Sequence, residues 1–424
     1  MKEDFLHYLW KFQKFSKTKV TTTQNEPIEI LSPGVHNYNS GPDFLNARIK
    51  IGSQLWAGNV EIHLKSSDWY AHRHETDPVY DAVILHVVWQ HDIEVYMSDN
   101  ITLPTLVLKE RIEKTLLESY QKLFSKKKRW INCENQFHET EPVLLQNWLE
   151  RLYFERLETK SEVVFQHLQN THYHWEAVLF RMLAKNFGLK VNGDAFLSLV
   201  TSFDFKILQK IQNDLSDLES LFFGQAGLLD DEVEDAHYKQ LQFRYVFLKN
   251  KFGLENKHVI PLQFFRLRPV NFPTIRLAQL AALYHQHQSL FNNIIQVQTR
   301  DEIHRLFEVQ VSAFWDNHYH FKSVSPKKAK RLSSGFIDLI IINTIAVIKF
   351  CYAQTLGKDV TDEITALVSA IQKENNHIVQ GFSELYPLFE NGLHSQALLQ
   401  LKNEYCDKNR CLQCVVGNSI LQRN

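Results

Sequence analysis

The hydrophobic pattern divides the chain into a first region of strands and a longer region of helices. Apolar and polar residues alternate over 44–51 and 54–65, and Gly52-Ser53 between them suits a tight hairpin. The run 83–89 is apolar almost throughout, as expected of a strand covered on both faces. Further short strands are predicted over 27–31 and 105–108, with helices over 4–15 and from Asp68.

From about residue 140 onward, apolar residues recur at the 3.6-residue spacing of helices. We therefore predict an α+β protein, in which a mixed sheet with flanking helices precedes a large all-α region of about ten to fourteen helices. The predicted divisions are an α/β domain over 1–135, a helical domain of one or two subdomains over 136–400, and a cysteine-containing segment over 401–424. The most apolar stretch, Leu339 to Ile348, has the length of a buried core helix and is too short to span a membrane.

A polar row follows one face of the predicted strand 54–65. Successive side chains of a strand alternate between faces, so Glu61, His63 and Lys65 share one face, and Asp43 precedes the neighbouring strand. Carboxylates suit a hard cation such as Mg²⁺ or Mn²⁺, and a lysine can orient or deprotonate the attacking water. The pattern predicts a catalytic site of Asp43, Glu61, His63 and Lys65, with Asp43 and Glu61 as ligands of Mg²⁺.

With Pro42-Asp43 ahead of this row, the region resembles the PD-(D/E)XK, or restriction-endonuclease-like, nuclease superfamily. The resemblance covers the predicted elements between residues 4 and 108 and implies a core of helix, three-stranded meander, helix and strand that hydrolyses phosphodiesters in DNA or RNA. His63 stands where the superfamily has an acid, and the acid lies two residues earlier, at Glu61. A regular hairpin would also set Asp43 opposite Ile62, so a shared face requires a one-residue bulge, near Leu45-Asn46 or at Gly58.

Two other interpretations of the polar region remain open. Glu61 and Lys65 fit a charge pair on a solvated face. The protein is then a non-catalytic nucleic-acid or protein interaction module on a degenerate nuclease-like fold, as His63 in the acid's position suggests. Alternatively, the histidines of this region, His36, His63, His72 and His74, fit a zinc or manganese site built from imidazole and carboxylate. The spacing of His72 and His74 matches no familiar metal motif, and surface or hydrogen-bonding roles account for most of the four histidines.

Three of the five cysteines lie close together, as Cys406-x4-Cys411-x2-Cys414. A C-x2-C step lets two thiolates hold one ion, and Cys133 offers a fourth ligand. We expect zinc at these four cysteines, with an iron–sulfur cluster or unliganded thiols as the alternatives. Cys351 lies in an apolar helical run and is expected to be an inert core thiol. The chain begins without a secretory signal, so we expect a cytoplasmic protein without disulfides.

Composition narrows the function only slightly. The chain has 424 residues and a formal net charge of −1, so a DNA or RNA site must concentrate its positive charge locally. No glycine-rich phosphate-binding loop is present, which argues against a nucleoside-triphosphate motor. Two basic segments fit phosphate contacts, one with Lys127, Lys128 and Arg129 and one with Arg266, Arg268 and Arg276. A basic run like the first is more often a solvated linker, and the second fits better a loop anchored by buried arginine pairs.

Motifs along the whole chain are similar to those of a bacterial family known only as a domain of unknown function, number 2851. The similarity rests on His36 to Asp43, Trp56 to Trp69, the Arg268-Pro269-x-Asn271-Phe272-Pro273 loop and Cys411-Leu412-Gln413-Cys414. That family implies no activity. The functional prediction therefore remains a metal-dependent nuclease that grips DNA or RNA with its helical region, and the sequence does not fix an oligomeric state.

Overall fold

A six-stranded mixed sheet holds the polar residues of the N-terminal region. Its strands are β1 (Ile28–Ser32), β2 (Val35–His36), β3 (Phe44–Ile51), β4 (Gln54–Lys65), β5 (Val83–Gln90) and β6 (Thr105–Val107). The spatial order is β1-β3-β4-β5-β6, with β2 paired to β3. The neighbours β1–β3 and β3–β4 are antiparallel, whereas β4–β5 and β5–β6 are parallel. The predicted hairpin is confirmed, and Gly52, with a φ of 60°, supplies its turn.

One extra residue in β3 sets the face on which Asp43 lies. Ala47 pairs with Gly58 but Phe44 pairs with Val60, so the chain bulges at residues 45–46. Asn46 has a φ of 58°, and its backbone N–H donates to Asn59 Oδ1 at 3.2 Å. Continuing this register by one residue places Asp43 opposite Glu61, as the shared polar face requires.

The structure is a computed structural model that describes residues 1–125 and 129–423. It divides into two units, and the first comprises Met1–Trp148 with the C-terminal residues from Leu401. In this unit α1 (Glu3–Lys11) contacts β4, α2 (Asp68–Ala71) follows β4 directly, and α3 (Lys114–Leu123) follows β6. The apolar face of α1 buries Phe5, Leu9 and Trp10, and this burial fixes the helix that carries His7.

The second unit, Leu149–Gln400, is helical apart from one small hairpin. The chain enters it along α4 (Pro142–Asn170). The following helices are α5 (Trp175–Phe187), α6 (Leu189–Thr201), α7 (Phe205–Ile211), α8 (Leu215–Gln225), α9 (Ala236–Phe252), α10 (Pro273–Gln286), α11 (Leu290–Gln296) and α12 (Arg300–Leu306). After the hairpin of β7 (His318–His320) and β8 (Ser323–Val324) come α13 (Ser334–Ile340), α14 (Ala346–Thr355), α15 (Thr361–Ser369), α16 (His377–Leu385) and α17 (Gly392–Gln400).

A single helical stretch in the described part of the chain, Ser334–Thr355, is long and apolar enough to cross a bilayer. It comprises α13, a π-helical turn at Ile341–Ile345 and α14. Within its most apolar window, 72% of the residues are buried inside the protein. This burial is typical of a core helix, as predicted for Leu339 to Ile348.

The chain rejoins the first unit at its C-terminal end. A π-helical turn at Leu401–Cys406 and a 3₁₀ turn at Cys411–Gln413 lead to α18 (Val415–Gln422), which contacts α3. The rings of Trp148 and Tyr405 lie 5.2 Å apart, so the beginning of α4 packs on this segment. The unit boundary accordingly falls inside α4, after Trp148 and later than residue 135, and the residues from 401 belong to the first unit.

Candidate metal centre

Three histidines from three neighbouring elements converge on one point. His63 lies on β4, His72 caps the C-terminal end of α2, and His74 begins a 3₁₀ turn. Between the last two, Arg73 adopts a left-handed φ of 62°, and the rings of His72 and His74 meet edge to face at 5.4 Å. One nitrogen from each histidine lies within 4.8 Å of the other two. This is the one group of three or more potential metal ligands that meets this distance within residues 1–125 and 129–423.

Glu61 borders this cluster on the same strand face as His63. Its Oε1 lies 3.5 Å from His63 Nε2 and 3.3 Å from His74 Nε2, while His63 Nε2 lies 3.0 Å from His72 Nδ1. Zinc–nitrogen bonds of 2.0–2.1 Å in a tetrahedron would set the ligand atoms about 3.3–3.4 Å apart. The distances from Glu61 Oε1 to the two imidazoles are close to this spacing, whereas the 3.0 Å between His63 Nε2 and His72 Nδ1 is the distance of a hydrogen bond.

A buried histidine behind the cluster, His86, orients the imidazole of His63. His63 Nδ1 lies 2.8 Å from Nε2 of His86, which stands on β5 and has no exposed surface. Burial, with the neighbouring His72 and His74, lowers the pKa of His63 to about 3, and burial also lowers the pKa of His86. Both imidazoles are thus neutral at physiological pH. When His63 donates from Nδ1 to His86, its Nε2 lone pair faces His72 and Glu61, as in a metal ligand held by its second nitrogen.

His74 carries an unsatisfied nitrogen inside the cluster. Its side chain is 9% exposed and its ring stacks on Tyr80 at 3.7 Å. Nε2 of His74 is buried without a partner in hydrogen-bonding geometry, although Glu61 Oε1 lies 3.3 Å away. Buried polar atoms are rarely left in this way. A cation bound by the lone pair of this nitrogen would satisfy it, so these residues fit a metal ion.

Asp43 connects the cluster to α1. The backbone N–H of Asp43 donates to Glu61 Oε2 at 3.2 Å, and Asp43 Oδ2 accepts the backbone N–H of Ile62 at 2.9 Å. Nε2 of His7 lies 3.2 Å from Asp43 Oδ2. Burial lowers the pKa of His7, but the hydrogen bond and charge of Asp43 outweigh it and leave that pKa raised. Burial also raises the pKa of Glu61, against the opposing effect of His74.

The structure brings together three of the four residues predicted as catalytic. Asp43, Glu61 and His63 join the cluster, whereas Lys65 is exposed at the end of β4. The backbone N–H of Lys65 donates to Asp68 Oδ2 at 2.9 Å, and no hydrogen bond or ion pair among the described residues ties its amine to the cluster. The three imidazoles also change the expected metal. Mg²⁺ prefers oxygen ligands and water, whereas imidazole suits zinc and other first-row transition metals.

Sequence reasoning missed two histidines that contact the site and left two undecided. His7 and His86 were not singled out, and His72 and His74 were considered only as one alternative. The available signal for His86 was its position in the middle of the apolar strand Val83–Gln90, where a polar side chain needs a buried partner. His7 gave no such signal, because it lies on the polar side of an amphipathic helix.

The predicted nucleic-acid-binding residues have different environments. Lys127 and Lys128 lie outside the described residues, and Arg129 donates to the backbone oxygen of Asn132 at 3.0 Å. Arg266 and Arg268 are exposed. Arg276 is only 5% exposed, and it donates to Asn271 Oδ1 at 2.7 Å and to Gln279 Oε1 at 3.0 Å. Arg276 therefore anchors its loop from inside and does not present its guanidinium to solvent.

Comparison with known proteins identifies the family of the chain, but the description of that family names no activity. The model of the family described as Protein of unknown function (DUF2851) matches residues 3–377, and the chain belongs to this family. No curated protein and no solved structure matched significantly.

Proposed function

We propose that this DUF2851 protein is a metal-dependent hydrolase of phosphodiesters, with DNA or RNA as its substrate class. The observation that supports this proposal is the convergence of His63, His72 and His74 beside the buried carboxylate of Glu61. Three protein ligands with a free coordination position are typical of catalytic zinc sites, whereas structural sites are closed by four. The exposed position of His72 leaves a side of the cluster open to substrate.

The surrounding residues fit the roles that hydrolysis requires. A zinc ion or similar transition-metal ion at the imidazoles would act as a Lewis acid and would lower the pKa of a bound water molecule. Glu61, whose Oε1 is adjacent to two of the imidazoles, would accept the proton of the attacking water. Asp43 holds the Glu61 carboxylate through its backbone N–H, and it also holds His7, which would donate a proton to the leaving oxygen. Lys65, at the solvent end of the same strand face, would attract the phosphate.

The order of elements supports phosphodiesters over other substrates. The helix α1, the antiparallel series β1–β3–β4, the helix α2 and the parallel strand β5 come in the order that a resemblance to the PD-(D/E)XK nucleases would imply, which supports the proposal. In that superfamily the acidic residues lie on the strands that correspond here to β3 and β4, where Asp43 and Glu61 lie. We propose that the replacement of an acid by His63, with His72 and His74 added, has changed the metal preference from magnesium to an imidazole-binding ion.

The test is hydrolysis by the full-length protein with each of several added metals. Purified protein, stripped by a chelator, is incubated with supercoiled plasmid, single-stranded DNA and RNA in the presence of Zn²⁺, Mn²⁺ or Mg²⁺. We expect cleavage with Zn²⁺ or Mn²⁺ above that with Mg²⁺. The variants His74→Ala and Glu61→Gln should lose at least about 100-fold of the activity, because a metal ligand and a general base typically each contribute that much.

Matched variants separate catalysis from contamination and from simple surface charge. Lys50→Ala removes an exposed lysine of β3 and should leave cleavage unchanged, whereas Lys65→Ala should raise KM. Cleavage that persists in both His74→Ala and Glu61→Gln would refute the proposed site. Binding of DNA without cleavage under any metal would instead support the alternative, a non-catalytic interaction module.

A further inference from the structure

Four of the five cysteines belong to the first unit: Cys133 and the three C-terminal residues Cys406, Cys411 and Cys414. Cys133, Cys411 and Cys414 are 6–8% exposed, Cys406 is partly exposed, and none of the five forms a disulfide. Their charges would interact, because the thiols of Cys414 and Cys411 add to the effect of burial in raising the pKa of Cys133. Burial and the same neighbours, with Cys133, likewise raise the pKa of Cys406. These mutual effects indicate that the four thiols are neighbours, and the contacts of Asn132 with Asn409 and Cys411 show that the two parts of the chain lie together.

Hydrogen bonds join the segment around Cys133 to the C-terminal segment that carries the other three cysteines. Asn132, next to Cys133, donates from Nδ2 to Asn409 Oδ1 at 3.0 Å, and the same nitrogen lies 3.4 Å from Cys411 Sγ. Asn409 in turn closes a backbone hydrogen bond from its N–H to Cys406 O at 3.1 Å. An amide donor directed at a sulfur is a feature of a thiolate site, because a thiolate accepts hydrogen bonds more strongly than a thiol.

The turn between Cys411 and Cys414 is packed against the following helix. Cys414 is the N-cap of α18, and the nearby backbone N–H groups of Val416 and Gly417 oppose the rise that burial causes in the pKa of its thiol. A Cβ on Gly417 would lie 2.1 Å from Cys411 O, so only glycine permits this approach. Backbone donors at a helix N-terminus stabilise a negative sulfur, which is the form that binds a metal.

We propose that Cys133, Cys406, Cys411 and Cys414 bind one zinc ion, which fastens the C-terminal segment to the N-terminal unit. Tetrahedral zinc with four thiolates is a closed, structural site. Within the described residues, the three histidines are the one group with three potential ligand atoms within 4.8 Å of one another, so no three of the sulfur atoms meet this distance. The cysteine side chains must therefore rotate inward to bind one ion. This site would close the loop of the chain between Cys133 and Cys406, which contains the whole second unit.

The fifth cysteine, Cys351, is a buried thiol outside the four-cysteine group. Cys351 lies in α14 of the second unit, fully buried, with the Ser161 side chain as its hydrogen-bond partner and no other cysteine among the groups that shift its pKa. Burial raises that pKa to about 11. Cys351→Ser is therefore the matched control for substitutions in the four-cysteine group.

The test measures thiol-bound zinc in the full-length protein. Wild-type protein, purified under reducing conditions, is treated with an organomercurial reagent, which displaces zinc from thiolates, and the released metal is quantified. We expect about one zinc per chain to be released from wild type, from Cys351→Ser and from the His72→Ala/His74→Ala double variant. Release should be lost in Cys411→Ser/Cys414→Ser, and its Tm should fall by at least about 10 °C.

Cobalt substitution keeps the test valid if the cysteine variant fails to fold. Wild-type protein reconstituted with Co²⁺ should show sulfur-to-cobalt charge-transfer absorption, which three imidazoles cannot produce, and the His72→Ala/His74→Ala variant should show it too. Four freely titrating thiols in wild type, with no charge-transfer band, would overturn the proposal. Iron and sulfide in place of zinc would also overturn it, in favour of a cluster. Either result leaves the histidine site untouched, since its tests use separate residues.

Discussion

Asp43 faces Glu61 across β3 and β4, and its backbone N–H donates to Glu61 Oε2 at 3.2 Å. In the opposite direction, Asp43 Oδ2 accepts the backbone N–H of Ile62 at 2.9 Å. The first hydrogen bond holds the carboxylate of Glu61, which lies beside the imidazoles, and the second holds the carboxylate of Asp43. They form only because the bulge at residues 45–46 moves Asp43 onto the polar face of the sheet.

The bulge requires a left-handed backbone conformation at Asn46, and a substitution can test this requirement. Its φ of 58° is tolerated by asparagine and glycine but not by a β-branched residue. Asn46→Val should destabilise the protein by about 1–3 kcal/mol and weaken zinc binding at the histidine cluster, whereas Asn46→Gly should change neither property appreciably. Urea unfolding and a zinc titration against a competing chelator measure both effects. Equal stability and equal zinc affinity in Asn46→Val would show that the bulge does not position the site.

His86 should affect metal binding at the histidine cluster through His63. His86→Leu removes the partner that His63 Nδ1 has at 2.8 Å, without changing the nitrogens that are proposed to bind the metal. We expect zinc affinity to fall by about 10- to 100-fold, since the partners of metal-bound histidines typically contribute this much. His318→Leu provides a control, because His318 is also a buried histidine but belongs to the second unit. A similar loss of affinity in both variants would indicate general destabilisation and contradict the role given to His86.

The sheet was predictable from sequence because its strands obey a period of two. The bounds of β3 and β4 follow directly from alternation, and the turn follows from Gly52. The bulge was inferred only as a requirement of the polar face. Asn46 is a single asparagine in a run of alternating residues, and a left-handed φ there leaves no periodic trace.

The partners of the site were less predictable because they depend on which elements become neighbours. Glu61 and His63 share a strand, so their common face follows from spacing. His86 meets His63 only because β5 pairs in parallel with β4, with Glu61 opposite His86. His7 reaches Asp43 only because α1 packs on β4. Periodicity defines the faces of an element, but it does not specify which neighbour covers each face.

A buried acid in the second unit should make stability depend on pH. Glu219 has no exposed surface, and burial raises its pKa from 4.5 to about 7, although Trp315 and Ser312 donate hydrogen bonds to it. Between these two pH values the folded state binds more protons than the unfolded state, so stability falls as the pH rises, by up to about 3 kcal/mol. His237 Nε2 lies 3.7 Å from Glu219, and burial lowers the pKa of His237, which acts in the opposite direction below pH 6.5.

Glu219→Gln isolates the contribution of this carboxyl group. Glutamine keeps an oxygen acceptor for Trp315 and cannot ionise, so the variant should gain stability relative to wild type as the pH rises from 5 to 8. Urea unfolding of the wild type and the variant at pH 5 and at pH 8 measures this difference in stability. If the two stability curves run parallel across this range, Glu219 does not carry the pH dependence.

Arg276 should matter for stability and not for nucleic-acid binding. Its guanidinium lies 3.6 Å from the ring centre of Phe336 and donates to Asn271 and Gln279. Arg276→Met keeps an apolar stem over the ring but leaves the buried acceptor of Gln279 and the partly buried acceptor of Asn271 without this donor, so we expect a loss of about 2–3 kcal/mol in urea unfolding. Arg268→Met, at an exposed position of the loop that precedes α10, should change stability by less than about 0.5 kcal/mol. If Arg276→Met instead kept its stability and lost DNA binding in a gel shift, the arginine would contact phosphate, and its burial would not describe the working protein.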